Sequence, residues 1–130
     1  QGDKQGPRIE GGRVGHFALQ ISGPVWQAEV AHAASFDPRP LFIALEGSRI
    51  VGFAAYDVDG AARFGPTGTH PDCRRRGIGT ALLKMCMRSI RDDGYVRSEI
   101  GWAGPIGFYG RAINARIHRV YWLFHKSLMD

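Results

Sequence analysis

Apolar and polar residues alternate in several segments of the chain, and this alternation predicts β-strands. Residues 14–21 carry apolar side chains at alternate positions, which is typical of a half-buried strand. Two apolar runs, at 41–45 and 50–56, are separated by residues 46–49, whose composition is typical of a hairpin turn. A further strand is expected at about 61–69. Together these runs predict a small sheet whose strands are mostly antiparallel.

Other segments repeat their apolar residues every three to four positions, which predicts helices. One helix is expected at about 25–35 and a longer one at about 78–92, with Gly94 at its C-terminal cap. A short helix is expected to open at residues 103–105 and to run to about residue 112. Asn114 suits the left-handed conformation that closes such a helix.

Two more strands are expected in the C-terminal half. Residues 96–102 follow the long helix, and a strand, helix and strand in this order imply parallel pairing through a crossover. Residues 116–128 are aromatic or branched on both faces, which favours a buried strand over a helix. The predicted fold class is therefore α/β, with antiparallel strands and one parallel crossover in the same sheet.

Length and composition predict one folded domain. A chain of 130 residues with 44% hydrophobic and 22% charged residues has room for one core and is not intrinsically disordered. Residues 1–12 contain four glycines, one proline and a single large apolar residue, so they are interpreted as a flexible tail or linker before a domain at 13–130.

Neither a membrane segment nor a metal site is expected. No apolar run reaches the roughly 18 residues of a membrane-spanning helix, and the N-terminal residues lack the apolar centre of a signal peptide. These features predict a cytoplasmic protein. Cys73 and Cys86 are expected to be free thiols, because neither they nor the five histidines have the spacing of a zinc site.

The net charge of +5 comes from the C-terminal half of the chain. Residues 1–73 contain 6 basic and 8 acidic residues, whereas residues 74–130 contain 11 basic and 4 acidic residues. This asymmetry indicates an anionic partner. Nucleic acid is not expected, because the sequence displays no clear aromatic platforms among its basic residues.

The segment between the 61–69 strand and the long helix carries the candidate chemistry. Residues 64–71 include two glycines and two prolines, so the strand is expected to splay from a neighbour and to expose backbone amides. Gly77 and Gly79 stand where the helix begins, and free amides at a helix start attract phosphate. The three arginines at 74–76 add positive charge, while the spacings of a P-loop and of a Rossmann loop are both absent.

The pattern R-x-x-G-x-G, here Arg74-Arg75-Arg76-Gly77-Ile78-Gly79, resembles the GNAT superfamily of N-acetyltransferases. Phe108-Tyr109 matches the aromatic pair of that family, and the order of elements agrees from about Val14 to the end. The resemblance implies a mixed, mostly antiparallel sheet with a central parallel crossover and splayed central strands flanked by helices. It also implies an enzyme that transfers the acetyl group of acetyl-CoA to a primary amine.

Roles for individual residues follow from the same resemblance. Backbone groups near Thr67 and Thr69 would pair with the pantetheine arm as an added strand does. Tyr109 would protonate the departing thiolate after direct attack by the amine. The pyrophosphate of coenzyme A would be held by the segment Arg74, Arg75, Arg76, Gly77, Ile78, Gly79 and Thr80.

The general base is left open by the sequence. An amine with a pKa of about 10.4 must lose a proton near neutral pH, yet the 61–69 strand lacks the glutamate that some family members have there. The candidates, each of which also has a structural or solvated interpretation, are Glu99, Asp57, His70 and Glu46.

Further departures from the family pattern leave a second function open. Arg75 stands where many members have glycine, and Trp102 where many have asparagine. The alternative function is therefore a non-catalytic or regulatory module that binds coenzyme A.

Only one helix is expected before the 41–45 strand, where the family usually has two, and no hairpin is expected at the end. A homodimer partner or an N-terminal domain of a tandem protein is expected to cover the apolar residues 121–124.

Overall fold

The computed structural model describes residues 11–36, 39–57, 60–101 and 103–129. The elements in chain order are α1 (Gly11–Ser22), α2 (Pro24–Ala34), β1 (Leu41–Glu46), β2 (Arg49–Tyr56), β3 (Arg63–Thr69), a 3₁₀ turn (Pro71–Cys73), α3 (Ile78–Asp92), β4 (Glu99–Ile100) and α4 (Ile106–Ile113).

The strands form one mixed sheet in the order β1-β2-β3-β4. β1 pairs with β2 and β2 with β3 in antiparallel fashion, and both ladders contain a register shift. β3 and β4 are parallel and are connected through α3. The predicted α/β class, with antiparallel strands and one parallel crossover, is thereby confirmed.

Alternate side chains of the sheet enter two core clusters. Phe53 and Ile43 pack with Val14 and Phe17 of α1 and with Val30 of α2. Their sequence neighbours, such as Ala54 and Phe42, belong to the cluster that includes Leu82 and Leu83 of α3 and Tyr109 of α4. Since neighbouring residues of a strand point to opposite faces, α1 and α2 cover one face and α3 and α4 the other.

The strand expected at 14–21 is wrong, because this segment lies in helix α1. Val14, Phe17, Ala18 and Ile21 are spaced three, one and three residues apart, and they form the face that packs on the sheet. The alternation of Phe17, Leu19 and Ile21 fitted a strand equally well. In a strand, Leu19 would lie on the same buried face as Phe17, but Leu19 is 37% exposed. The buried residues therefore follow the helical period. Within residues 11–36, two helices therefore precede β1, rather than the one that was expected.

The buried strand expected at 116–128 is also wrong. This segment has no regular secondary structure, and its apolar side chains are exposed, with Leu123 91% accessible. The preceding strand is shorter than the expected 96–102, since β4 contains only Glu99 and Ile100. A two-residue edge strand offers too short a ladder for a further strand to pair with. Trp102 lies outside the described residues.

Locally determined features agree with the sequence. α3 has the predicted limits, and Gly94 follows its cap residue with φ 98°. Asn114 closes α4 with φ 57°, in the left-handed conformation. Of the expected tail at 1–12, residues 1–10 lie outside the described residues and α1 begins at Gly11. None of the described helices has the length and apolar character needed to cross a membrane.

Candidate functional site

The open edge of β3 is the first component of the candidate site. β3 and β4 pair only through Arg63 with Glu99 and Phe64 with Ile100, and the strands separate beyond Phe64. On the side away from β2, residues 65–69 therefore have no strand partner among the described residues. A strand edge with unpaired N–H and C=O groups can accept an extended ligand as an added strand. The splay predicted for this part of the sheet is present.

Contacts with β2 fix the other side of β3. The hydroxyl of Thr67 donates a hydrogen bond to the carbonyl of Phe53 at 3.1 Å, so this side chain is already engaged. A Cβ on Gly68 would lie 3.1 Å from the ring of Phe53 and 3.3 Å from that of Trp26. Only glycine fits there without displacing the two rings. β3 is thus held by β2 along one edge and by the rings of Phe53 and Trp26 on one face, and its other edge is left for a ligand.

The start of α3 is the second component. Its N-cap residue, Gly77, has φ 80° and provides no side-chain cap. The amides of Ile78, Gly79 and Thr80 precede the first intrahelical hydrogen bond, which runs from Ala81 to the Gly77 carbonyl. Uncapped first-turn amides at the positive end of a helix are suited to an anion.

The loop before α3 contains a second left-handed residue. Arg75 has φ 64°, which is uncommon for a residue with a side chain and is maintained only when the surrounding structure requires it. Successive amides in turns with left-handed residues form concave anion-binding surfaces. The loop conformation thus agrees with a phosphate-binding role, although glycine would adopt it with less strain.

The three arginines of the loop differ in their surroundings. Arg76 donates to the Glu46 carboxylate at 2.6 Å, and this contact holds the pKa of Glu46 below its ordinary value. Arg74 and Arg75 are exposed and have no carboxylate partner among the described residues. Arg74 and Arg75 are therefore the two cations left available to an anionic ligand.

Tyr109 is the third component. It lies on α4, is only 8% exposed, and makes edge contacts with the rings of Phe64 and Phe108 at centroid distances of 6.1 and 5.1 Å. Phe64 is the residue at which β3 and β4 separate, so Tyr109 packs close to the start of the open edge. Burial raises the pKa of its phenol, which keeps the phenol protonated at neutral pH.

α4 also contacts the start of α3. A Cβ on Gly79 would lie 3.7 Å from Cζ of Phe108 and 3.8 Å from the hydroxyl oxygen of Thr69. The end of β3, the first turn of α3 and Phe108 of α4 therefore meet at Gly79. Of the predicted site residues, the structure brings Thr69 and Gly79 together here, and Tyr109 follows Phe108 in the chain.

The three carboxylates considered as general bases are all engaged. Besides the Glu46 pair, an oxygen of Asp57 accepts a hydrogen bond from the amide of Ala62 at 2.6 Å. Glu99 is 2.9 Å from the guanidinium of Arg119. Each of the three carboxylates is thus held by a contact within the fold, and for Glu46 that contact lowers the pKa.

The fourth candidate base, His70, is held between several groups. Its Nε2 is 3.1 Å from Arg49, and its Nδ1 is 3.1 Å from the amide of Asp72 and 3.7 Å from the Asp72 carboxylate. The amide of Asp72 donates to Nδ1, so Nδ1 is an acceptor, and Nε2 lies against the guanidinium of Arg49. The ring also stacks on Phe17.

Among the described residues, no three His, Cys, Asp or Glu side chains cluster so that they could hold a metal ion. Cys73 and Cys86 are buried free thiols, and burial raises the pKa of Cys86 to about 12.

The ion pair of Arg76 with Glu46 was not anticipated, because the two residues are 30 positions apart and nothing local indicates the contact.

The fold is that of the acetyltransferase (GNAT) class of proteins. The profile of the acetyltransferase (GNAT) family matches residues 16–121, and the chain belongs to this family. Among individual proteins, it is 42% identical over 66 residues to a mycothiol acetyltransferase of Nocardiopsis dassonvillei. That match covers 50% of this chain and only 20% of the relative, so the matched half of this chain spans about a fifth of that protein.

Solved structures show the same fold at low sequence identity. An acetyltransferase of Trypanosoma brucei superposes with a TM-score of 0.60 at 20% identity, over 91% of this chain and 96% of that one. A ribosomal-protein-alanine N-acetyltransferase of Brucella melitensis superposes with a TM-score of 0.56 at 18% identity, over 85% and 87% of the two chains. These likenesses establish the fold, and they leave the acceptor of this protein open.

Proposed function

We propose that this protein uses acetyl-CoA as its acyl donor and acetylates a primary amine by direct transfer. The observation that carries the proposal is the continuity of the site. The unpaired edge of β3 at residues 65–69 runs through the loop into the uncapped first turn of α3. One extended ligand with a polar arm and phosphate groups matches both parts.

The residues present fit such a ligand. The open edge of β3 would bind the amide-containing pantetheine arm, and the amides of Ile78, Gly79 and Thr80 would bind the pyrophosphate. Arg74 and Arg75 would add charge-assisted hydrogen bonds, since neither is neutralised by a described carboxylate. When bound, acetyl-CoA supplies the reactive thioester.

Tyr109 is the proposed general acid. Its raised pKa keeps a proton available for a departing thiolate, and its position beside Phe64 places it near the start of the open edge. General acid catalysis of this kind contributes about 10²- to 10⁴-fold to a rate. The acceptor amine would attack as the free base and release its proton to water or to a side chain.

A second candidate function is a coenzyme A-binding module without catalysis. The observation that favours it is the engagement of all four base candidates in the contacts described above. An acetyltransferase that deprotonates its acceptor through bound water needs none of them. Turnover, rather than coenzyme binding, therefore distinguishes the two functions.

Thermal unfolding with acetyl-CoA tests the proposed ligand. A ligand at about a hundred times its Kd stabilises a protein by about 2.7 kcal/mol, which raises the Tm of a domain of this size by about 5–15 °C. ADP is the control for phosphate binding alone. A shift with acetyl-CoA that exceeds the shift with ADP supports the proposal, and no shift with acetyl-CoA contradicts it.

An amine panel then tests turnover. Acetyl-CoA consumption is measured with an alanine-terminated peptide, an aminoglycoside and an amino sugar conjugate as acceptors. The first and last are chosen from the names of the relatives described above. Coenzyme binding without acetylation of any amine would favour the non-catalytic module.

A further inference from the structure

A polar cleft, distinct from the site at the start of α3, lies on the face of the sheet that α1 and α2 cover. It has a volume of about 520 Å³ and is bounded by α1, by the start of β2 and by the residue that follows β3. Its polar lining consists of Arg13, His16, Gln20, Arg49 and His70. No residue of the loop and helix start at 74–80 lines it, so this cleft is separate from the site at the start of α3.

Neither arginine of the cleft has a carboxylate partner among the described residues. Arg13 donates to the backbone carbonyl of Ser48 at 2.7 Å. Arg49 lies 3.1 Å from Nε2 of His70. The carbonyl contact orients the guanidinium of Arg13 without neutralising its charge, and the contact with the imidazole ring fixes the place of the Arg49 guanidinium.

Acidic groups near the cleft do not cancel this charge. Among the described residues no carboxylate lines the cleft. The carboxylate of Asp72 lies 3.7 Å from His70, but this side chain is 80% exposed. Glu46 interacts electrostatically with Arg49, but its carboxylate forms its ion pair with Arg76. The guanidinium groups of Arg13 and Arg49 thus line the cleft without a carboxylate partner in its described lining.

The remaining lining groups supply further hydrogen-bonding capacity. The side chains of His16 and Gln20 are paired at 3.2 Å on successive turns of α1. The ring of His70 stacks on Phe17, which fixes the imidazole that in turn holds Arg49. The cleft therefore has an ordered wall as well as charge.

We propose that this cleft binds a phosphate group. A guanidinium group presents paired N–H donors that match the oxygens of phosphate. Two guanidinium groups carry two positive charges, which balance the two negative charges of a phosphate dianion, whereas a carboxylate carries only one. The phosphate is either a free phosphate-bearing small molecule or the 3′-phosphate of the proposed coenzyme, since both present the same group.

Titration with inorganic phosphate tests the cleft directly. The probes are the imidazole NMR signals of His16 and His70, with the amide signals of residues 78–80 reporting separately on the start of α3. Saturable shifts of both histidine signals are expected at constant pH and ionic strength. Shifts that sodium chloride reproduces at the same ionic strength would overturn the proposal.

Charge-removing variants provide the second test. Arg49→Gln and Arg13→Gln are each expected to weaken phosphate binding about tenfold, because a charge-assisted contact is lost. Arg88→Gln, which removes one exposed positive charge from α3, is the matched control and is expected to change it less than twofold. Equal weakening in all three variants would show a non-specific charge effect and overturn the proposal.

Comparison of coenzyme A with its 3′-dephospho form identifies the source of the phosphate. Shifts of the histidine signals with coenzyme A alone would assign the cleft to the 3′-phosphate. Shifts with inorganic phosphate but with neither coenzyme form would assign it to a separate ligand. Failure of acetyl-CoA to bind at residues 78–80 would contradict the proposed function and leave the phosphate titration intact as a test of the cleft.

Discussion

The carboxylate of Glu46 and the guanidinium of Arg76 form an ion pair at 2.6 Å that joins the end of β1 to the loop before α3. The two residues are 30 positions apart, so the pair is a tertiary contact. It directs Arg76 toward the sheet. Arg74 and Arg75, by contrast, have no carboxylate partner among the described residues, and the loop therefore contains one structural and two available cations.

Glu46→Gln is expected to lower stability at neutral pH but not in acid. Arg76 holds the pKa of Glu46 below its ordinary value of 4.5 in the folded protein. The pair therefore stabilises the fold above pH 4.5, and this contribution is lost as the pH falls through the lowered pKa. Both side chains are half-exposed, so the effect is small.

Thermal unfolding of wild type and Glu46→Gln at pH 7 and at pH 3 checks this expectation. The wild type is expected to have the higher Tm at pH 7, and the difference between the two Tm values is expected to be smaller at pH 3. Glu29→Gln, at an exposed position of α2, is the matched control. A difference that persists unchanged at pH 3 would exclude the ionised pair as its cause.

Tyr109→Phe is expected to reduce kcat by about 10²- to 10⁴-fold and to leave the Kd for acetyl-CoA unchanged. The substitution removes the proposed acid and keeps the ring that packs on Phe64 and Phe108. Steady-state kinetics and direct binding measurements separate the two effects. Tyr95→Phe, at a half-exposed position, is the control. An unchanged rate would remove Tyr109 from the mechanism.

The pH dependence of kcat provides an independent check on Tyr109. Burial raises the pKa of the phenol above its ordinary value of 10.0. The acid form is therefore retained as the pH rises through 10, and a loss of rate from deprotonation is expected only above that value. An alkaline loss of rate near pH 8 that persists in Tyr109→Phe would have to come from another group.

Gly79→Ala is expected to weaken coenzyme binding without weakening the fold. A methyl group there would be in ordinary contact with Phe108 and Thr69, and alanine in a helix is favoured over glycine by about 1 kcal/mol. The same methyl group would occupy the point where the end of β3, α3 and α4 meet. A Tm at or above that of wild type, with a Kd for acetyl-CoA raised about tenfold, is expected.

Gly77→Ala is the contrasting variant. Its φ of 80° is left-handed, so alanine costs about 1–2 kcal/mol there, although nothing lies within 4 Å of the new Cβ. A lowered Tm is expected, and calorimetry of both variants checks the pair. Equal Tm values for Gly77→Ala and wild type would contradict the conformation assigned to the N-cap of α3.

The exposed C-terminal segment, residues 117–129, is expected to mediate self-association. Trp122, Leu123 and Phe124 are each more than 80% exposed, and clustered exposed apolar side chains of this size are typical of an interaction site. We propose a homodimer, detectable by light scattering as a mass that doubles with concentration. Trp122→Lys combined with Leu123→Lys is expected to abolish it.

The matched control for this surface is Val25→Lys, which changes an exposed apolar residue of α2. It is expected to leave association unchanged. A wild-type protein that stays monomeric at every concentration would contradict the homodimer and favour the alternative partner, a neighbouring domain of a tandem protein.

The sequence by itself determined the features that depend on neighbouring residues. Local periodicity determined the limits of α3. Turn and cap chemistry determined the hairpin of β1 and β2 and the left-handed conformation of Asn114. The loop at 74–80 was also identified from its residues, because glycines and arginines at a helix start indicate anion binding wherever they occur. Its contacts with a ligand remain predictions.

Only the tertiary structure decided the features that depend on distant partners. Residues 14–21 fit both a helical and a strand period, and packing against Phe53 and Ile50 selects the helix. Residues 116–128 have a strand composition but no ladder to join, because β4 contains two residues. The engagement of Glu46 by Arg76 likewise arises only when β1 meets the loop. A strand or an ion pair is completed by residues far away in the chain, and local patterns hold no information about them.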